Sequence, residues 1–159
     1  MIDIAKIHVN DIDYDVRPIV ISVAGGSGSG KSYLCQHIKD ILFPNCSIIL
    51  SMDRYYSDLS HLDMEIRGQT NFDHPDSLDI KLFINDLKIA IQGGELKLPI
   101  YNFNTHTRES KKDLVPAQYR VILIDGIFAL YWSTVRELAD LKIYIDLRLD
   151  TCLARRIER

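Results

Sequence analysis

A chain of 159 residues, 47% hydrophobic and 26% charged, has the composition of an ordinary globular protein and the length of one domain. Its formal net charge of -3 leaves no basic surplus to neutralise a phosphate backbone, which excludes nucleic acid as the main partner. No apolar run approaches the ~18 residues of a membrane span, Met1-Ile2-Asp3-Ile4 lacks the features of a signal peptide, and Cys35, Cys46 and Cys152 are scattered as in a reducing compartment, so a cytoplasmic protein with no membrane partner is expected.

Residues 1–17 alternate apolar and polar groups around Asn10-Asp11, as in a short accessory hairpin. The apolar run from Ile19 to Ala24 reads as a buried strand, and Tyr33 to Leu42 as a helix with Leu34, Ile38, Ile41 and Leu42 on one stripe. Between them stands Gly25-Gly26-Ser27-Gly28-Ser29-Gly30-Lys31-Ser32, the G-x-x-x-x-G-K-S pattern of a P-loop. Glycines let the backbone turn its N–H groups onto the phosphates of a nucleotide, at the positive end of the following helix. Lys31 is then expected to reach the β- and γ-phosphates, and the Ser32 hydroxyl to ligate Mg²⁺. A flexible Gly/Ser connector would not need a strand before it and a helix after it. The chain is expected to bind a nucleoside triphosphate.

Pro44 ends the first helix, and Ser47 to Ser51 is a second short strand. A helix is predicted from about Leu78 to Gln92, with an apolar stripe of Leu82, Phe83, Leu87, Ala90 and Ile91. Asp76, with Asp79 following, is its expected cap, and Gly93-Gly94 its stop. Glu95 to Tyr101 alternates like a strand beside solvent, Tyr119 to Asp125 and Leu141 to Asp146 read as strands, and Asp150 to Arg159 as a helix. Strands alternating with helices imply an α/β fold: a parallel sheet flanked by helices, with ligands gathered at the carboxyl ends of the strands. With no repeats or linkers, residues 18–159 are expected to form one P-loop NTPase-like domain.

Two acids sit at strand ends. Asp125 closes an apolar strand before Gly126, where a carboxylate could share Mg²⁺ with Ser32; a turn residue bonding nearby N–H groups is the plainer alternative. Asp53 follows the second strand. It could accept the proton of an attacking hydroxyl, a role worth about 10²–10⁴-fold in rate, or be a solvated loop residue. Position alone divides these evenly.

Further segments carry a family resemblance. Asn71-Phe72-Asp73-His74-Pro75-Asp76 closely resembles the N-F-D-H-P-D stretch of uridine (uridine/cytidine) kinases, and Pro99 to Arg108 resembles their P-x-Y-D-F-x-x-H-x-R segment. Val121 to Leu130 looks like their second acidic strand, and Lys142 to Asp146 with Ala154 to Arg159 like the strand and arginine-rich helix leading to their lid. The resemblance implies a kinase domain with a small β-hairpin insertion that binds substrate. It assigns Asp53 as base on a ribose 5′-hydroxyl, with Tyr56 nearby, and Asp73 as the carboxylate holding the 2′- and 3′-hydroxyls. Tyr101, Phe103 and His106 would meet the nucleoside, and Arg156 and Arg159 the substrate and transferring phosphate. Absent that resemblance, Asp73 could belong to a polar turn, Tyr101 and Phe103 to a packed hairpin, and the arginines to a solvated helix face.

Asn102 departs from the family by replacing an acid, and Arg54 and Tyr55 stand where a small residue and Phe are usual. Family members continue past the position of Arg159, so a fragment of a longer kinase or a shortened relative is expected. The resemblance implies an ATP- and Mg²⁺-dependent kinase of uridine or cytidine in pyrimidine salvage. A phosphoribulokinase-like or pantothenate-kinase-like enzyme and a nucleotide-binding pseudoenzyme are the alternatives. ATP against GTP, uridine against cytidine, and monomer against homo-oligomer stay open. The proposal requires Asp53 and Asp73 to face the cavity into which the glycine loop opens.

Overall fold

Successive residues of a strand point to opposite faces of its sheet, and here both faces are covered. In the computed structural model, which describes residues 17–157, the strands are β1 (Ile19–Gly25), β2 (Ser47–Ser51), β3 (Leu96–Asn102), β4 (Thr107–Val115), β5 (Val121–Asp125) and β6 (Leu141–Ile145). The helices are α1 (Lys31–His37), α2 (Met64–Arg67), α3 (Ile80–Ile91), α4 (Ser133–Leu138) and α5 (Leu149–Ile157). Val20 and Ala24 of β1 enter one core with Leu50, Ile122, Ile124 and the Phe83 and Leu87 face of α3. Ile21 and Val23, one register step away, enter a second core with Leu123, Cys35 and Ile38 of the α1 side. Each large apolar side chain removed from water this way contributes about 1.5–3 kcal/mol. The near-continuous apolar runs are therefore those of a parallel sheet sandwiched between layers.

That sheet has the order β2-β5-β1-β6, every pairing parallel. The register sets Val23 and Ser51 on either side of Asp125. The carboxyl ends of β2, β5 and β1 thus lie in a row, about 4.8 Å from strand to strand. A separate antiparallel hairpin, β3 with β4, places Tyr101 opposite Arg108. The β6 edge leaves Leu141 and Tyr144 exposed, while Ile143 and Ile145 pack against the second core.

Two local expectations change. The segment after α1 widens into a π turn over Ile38–Leu42, with the Phe43 N–H donating to the Ile38 carbonyl at 3.2 Å. The wider turn swings Ile41 and Leu42 outward to 60% and 43% exposure, and Phe43 closes the core instead. Asp79, and not Asp76, caps α3: its Oδ1 accepts from the Leu82 N–H at 3.0 Å. Leu78 is held extended by a bridge to Tyr56, which delays the helix to Ile80, while Asp76 belongs to a short 3-10 turn over Pro75–Ser77. The hairpin expected within residues 1–17 lies, apart from Arg17, outside the described residues, as do Glu158 and Arg159. All three cysteines are free and buried.

Candidate active site

The glycine loop leaves β1 at Gly25 and enters α1 at Lys31. Gly28 and Gly30 adopt φ of +83° and +99°, the left-handed region where a side chain is strained. At Gly28 there is also no room, because a Cβ would lie 2.6 Å from the Cys152 carbonyl oxygen on α5. The helix after the sheet edge thus backs the loop. Lys31 is buried and its Nζ donates to the Gly26 carbonyl at 2.9 Å, which lays the ammonium along the loop. Ser29 is buried with its hydroxyl oxygen unpartnered.

Beside the loop, the Ser32 hydroxyl donates to Asp125 Oδ2 at 2.7 Å. Asp125 is buried, and its Oδ1 has no hydrogen-bond partner. An orphaned carboxylate oxygen next to a hydroxyl is a donor set that suits Mg²⁺, which takes one or two protein oxygens and keeps its waters. Among the described residues no cluster of three or more His, Cys, Asp or Glu forms a larger metal site.

Asp53 sits in the 3-10 turn Met52–Tyr55 that follows β2, two strands along the same sheet edge. A cavity of about 150 Å³ has Gly28, Lys31, Ser32, Asp53, Tyr56, Asp73 and Asp125 among its lining residues. Both carboxylates therefore face the space into which the loop opens. Asp53 also lines a second cavity, about 330 Å³, with Arg54, Tyr101 and Phe103 of the hairpin side. It stands where the two meet. Although Asp53 is open to solvent, the protein mass around it and the nearby Asp125 charge raise its pKa above the ordinary carboxylate value, with Lys31 opposing. Burial, followed by Asp53 and Asp73, also raises the Tyr56 hydroxyl. A larger cavity, about 580 Å³, lies between β2 and the hairpin and is not lined by the loop.

Aromatic rings build the hairpin side. Tyr56 meets Tyr101 at 5.4 Å between centroids and Phe72 edge-on at 5.1 Å. Tyr101 meets Phe103 at 5.2 Å, and His106, at φ +54°, stacks on Phe72 at 4.9 Å. Tyr101 is buried with its hydroxyl unpartnered. His106 lines neither of the two cavities. Arg156 is exposed and lines neither of them, its stem lying against Gly28. Its neighbour Arg155, which the resemblance does not assign, donates from Nη1 to the Gly28 carbonyl at 3.5 Å. Arg159 lies outside the described residues.

The departures from the family pattern have structural roles. Asn102 Oδ1 accepts from the N–H groups of Asn104 and Thr105 at 3.0 and 3.3 Å, an amide shaping the hairpin tip. Arg54 donates to Asp113 Oδ2 at 2.7 Å and to the Pro99 carbonyl at 3.1 Å, tying the Asp53 turn to the hairpin. The Tyr55 hydroxyl donates to the buried Asp86 at 3.0 Å. The Arg54 and Tyr55 links left no sequence signal because each joins residues distant in the chain.

A glycine loop after an interior parallel strand, with acids at the ends of the next two strands, defines a P-loop nucleotide-binding protein of the α/β class. Residues 20–159 match the phosphoribulokinase/uridine kinase family, and the chain belongs to that family. A uridine kinase of Clostridium novyi (strain NT) is 41% identical over 145 residues, 91% of this chain and 69% of that protein. In solved structures, a protein described as a fructose transport system kinase from Silicibacter sp. TM1040 superposes with a TM-score of 0.77 at 18% identity, covering 93% of this chain and 75% of that one. A possible uridine kinase from Bacillus stearothermophilus gives 0.64 at 18% identity, covering 92% and 80%. Those two share the fold. The activity class follows from the family: a P-loop kinase of a nucleoside or another small metabolite.

Proposed function

We propose that the chain is a nucleoside kinase that transfers the γ-phosphoryl group of ATP to the 5′-hydroxyl of uridine or cytidine, yielding the monophosphate for pyrimidine salvage. One observation carries the reading: Asp53 and Asp73 line the same cavity as Lys31 and Ser32. A sugar between the two carboxylates would offer its primary hydroxyl to the phosphate side. The 41% identity to a protein named uridine kinase supports the choice of acceptor.

In this reading Gly25, Gly26, Ser27, Gly28, Ser29 and Gly30 cradle the triphosphate with their backbone, and Lys31 draws charge from its β- and γ-oxygens. Ser32 and Asp125 would hold Mg²⁺, which when bound neutralises phosphate oxygens. Asp53 takes the proton of the attacking hydroxyl; its raised pKa makes it a better acceptor than an ordinary carboxylate. Asp73 offers two oxygens to the vicinal diol. Tyr56, Tyr101 and Phe103 pack against the nucleoside, the His106 imidazole hydrogen-bonds the edge of the base, and the free Tyr101 hydroxyl suits a polar edge. Arg156 and Arg159 offset charge on the transferring phosphoryl, with Arg155 steadying the loop. The reading includes ATP as donor and a cytoplasmic location, and among the described residues no helix is long and apolar enough to cross a membrane.

The test is release of ADP from ATP, or of GDP from GTP, on adding uridine, cytidine, ribulose 5-phosphate or 5′-deoxyuridine. Release with the two pyrimidine ribosides and none with the 5′-deoxy analogue is the expected pattern. Release with the sugar phosphate alone would transfer the chain to a phosphoribulokinase-like activity, and nucleotide binding without release would make it a binding module.

A further inference from the structure

Arg108 of β4 contacts no residue assigned to phosphate or metal, yet it makes a dense set of long-range bonds. Its Nε donates to the Tyr56 carbonyl at 2.9 Å and its Nη2 to the Tyr55 carbonyl at 3.1 Å. Its Nη1 donates to Asp79 Oδ2 at 3.1 Å, and its backbone N–H to Asp58 Oδ1 at 3.1 Å. The side chain is 20% exposed, so the three guanidinium bonds are partly shielded from water, whereas the backbone bond to Asp58 is exposed. Asp79 is meanwhile the cap of α3 and donates its own N–H to the Tyr55 carbonyl at 2.8 Å. One guanidinium therefore joins three pieces: the hairpin, the stretch directly after Asp53, and the start of α3.

What those pieces carry decides what the junction is for. Tyr55 and Tyr56 are the residues that follow the Asp53 turn, and Tyr56 lines the loop-side cavity. On the other side Tyr56 bridges Leu78, and Ser57 donates to Ser77, so the strip from Asp53 to Ser57 lies against the segment that follows Asp73. In the hairpin Arg108 is the cross-strand partner of Tyr101, whose ring lines the second cavity beside Asp53. Arg54 ties the hairpin to the same turn at another point, through Pro99 and Asp113. That tie does not engage the Tyr55 and Tyr56 carbonyls, which Arg108 bonds, the former shared with the Asp79 N–H.

We infer that Arg108 is a positioning residue that locks the aromatic hairpin to the Asp53–Tyr56 strip, so that the nucleoside-binding wall and the proton acceptor keep one spacing. The role rests on the nucleoside-kinase reading for its purpose, but not for its geometry. A lysine at this position keeps the charge and an apolar stem, yet its point-like ammonium has no planar fork to serve three acceptors at once. Arg108→Lys is therefore expected to fold while loosening the junction.

Two measurements on Arg108→Lys decide the matter. Amide hydrogen exchange is expected to accelerate across residues 52–58 and 77–79 and to stay unchanged across residues 25–32. Calorimetry is expected to show uridine binding weakened by about tenfold, with ATP affinity unchanged. A merely structural contribution would weaken both ligands together, and that result overturns the inference. Unchanged exchange across residues 52–58 overturns it as well, whatever the ligand does. Faster exchange with wild-type uridine affinity refutes the link to substrate. Should the unsubstituted chain bind no uridine, the nucleoside-kinase reading fails, and the exchange comparison alone then confirms or refutes the junction.

Discussion

The two sides of the proposed site are built in different ways. The phosphate side comes from one continuous stretch, Gly25 to Ser32, plus a single partner, Asp125, on the adjacent strand. Its shape is backbone geometry, with positive φ at Gly28 and Gly30 and α5 pressed behind. The acceptor side is assembled from the turn at Asp53, the segment at Asp73, and the hairpin holding Tyr101 to His106, joined by arginine side chains and stacked rings. Local backbone chemistry can be read from spacing. A surface assembled from distant pieces exists only once the chain has folded.

Substitutions that separate the two sides sharpen this contrast. The largest effect is expected for Asp53→Asn: kcat should fall by about 10²–10⁴-fold, with little change in either KM, in a coupled ADP assay. Asp73→Asn comes next. It should raise the KM for uridine by about tenfold or more through loss of a charged hydrogen-bond acceptor, leave the KM for ATP unchanged, and narrow the preference for ribose over 2′-deoxyribose. Equal changes in both KM values would show that the carboxylate serves the fold rather than the acceptor.

On the phosphate side, Gly28→Ala combines a strained φ with a contact of 2.6 Å to Cys152. It should cost about 1–3 kcal/mol of stability and weaken ATP more than uridine, read by thermal unfolding and calorimetry. The smallest effect concerns charge. The folded-state pKa of Asp53 is raised, so its contribution to stability is fully present below the unfolded pKa and is lost as pH rises through the folded one. Asp53→Asn should then unfold at the same temperature as the wild type or slightly higher at pH 7, while the acid limb of wild-type kcat lies above that of an unperturbed carboxylate. A lower melting temperature for the variant would contradict this assignment of the shift.

Much of the fold could be read from the chain because β1, β2 and β5 are near-continuous apolar runs bounded by turn residues, while the edge strand β6 alternates between half-buried and exposed positions. The strands at Ile19, Ser47, Val121 and Leu141 lie within a few residues of expectation. Where reading failed, a local rule met a tertiary one. The periodic Ile41 and Leu42 were turned outward by a π turn, and Asp76 lost the cap to Asp79 because Leu78 was already paired to Tyr56. In the site, the residues of the loop and Asp125 follow from motif and strand ends alone. Asp73, Tyr101 and His106 needed the family pattern. Arg54, Arg108 and Arg155 went unassigned, since an arginine that bonds backbone carbonyls leaves no spacing signal.

The central claim is that the glycine loop and the two carboxylates Asp53 and Asp73 serve one continuous site. Calorimetric titration with a bisubstrate analogue, adenosine joined through a polyphosphate to the 5′-oxygen of uridine, measures this directly. The account predicts one molecule bound per chain, more tightly than ATP or uridine alone, and displacement by either. Binding no tighter than that of ATP, with uridine still able to bind the occupied protein, would contradict it.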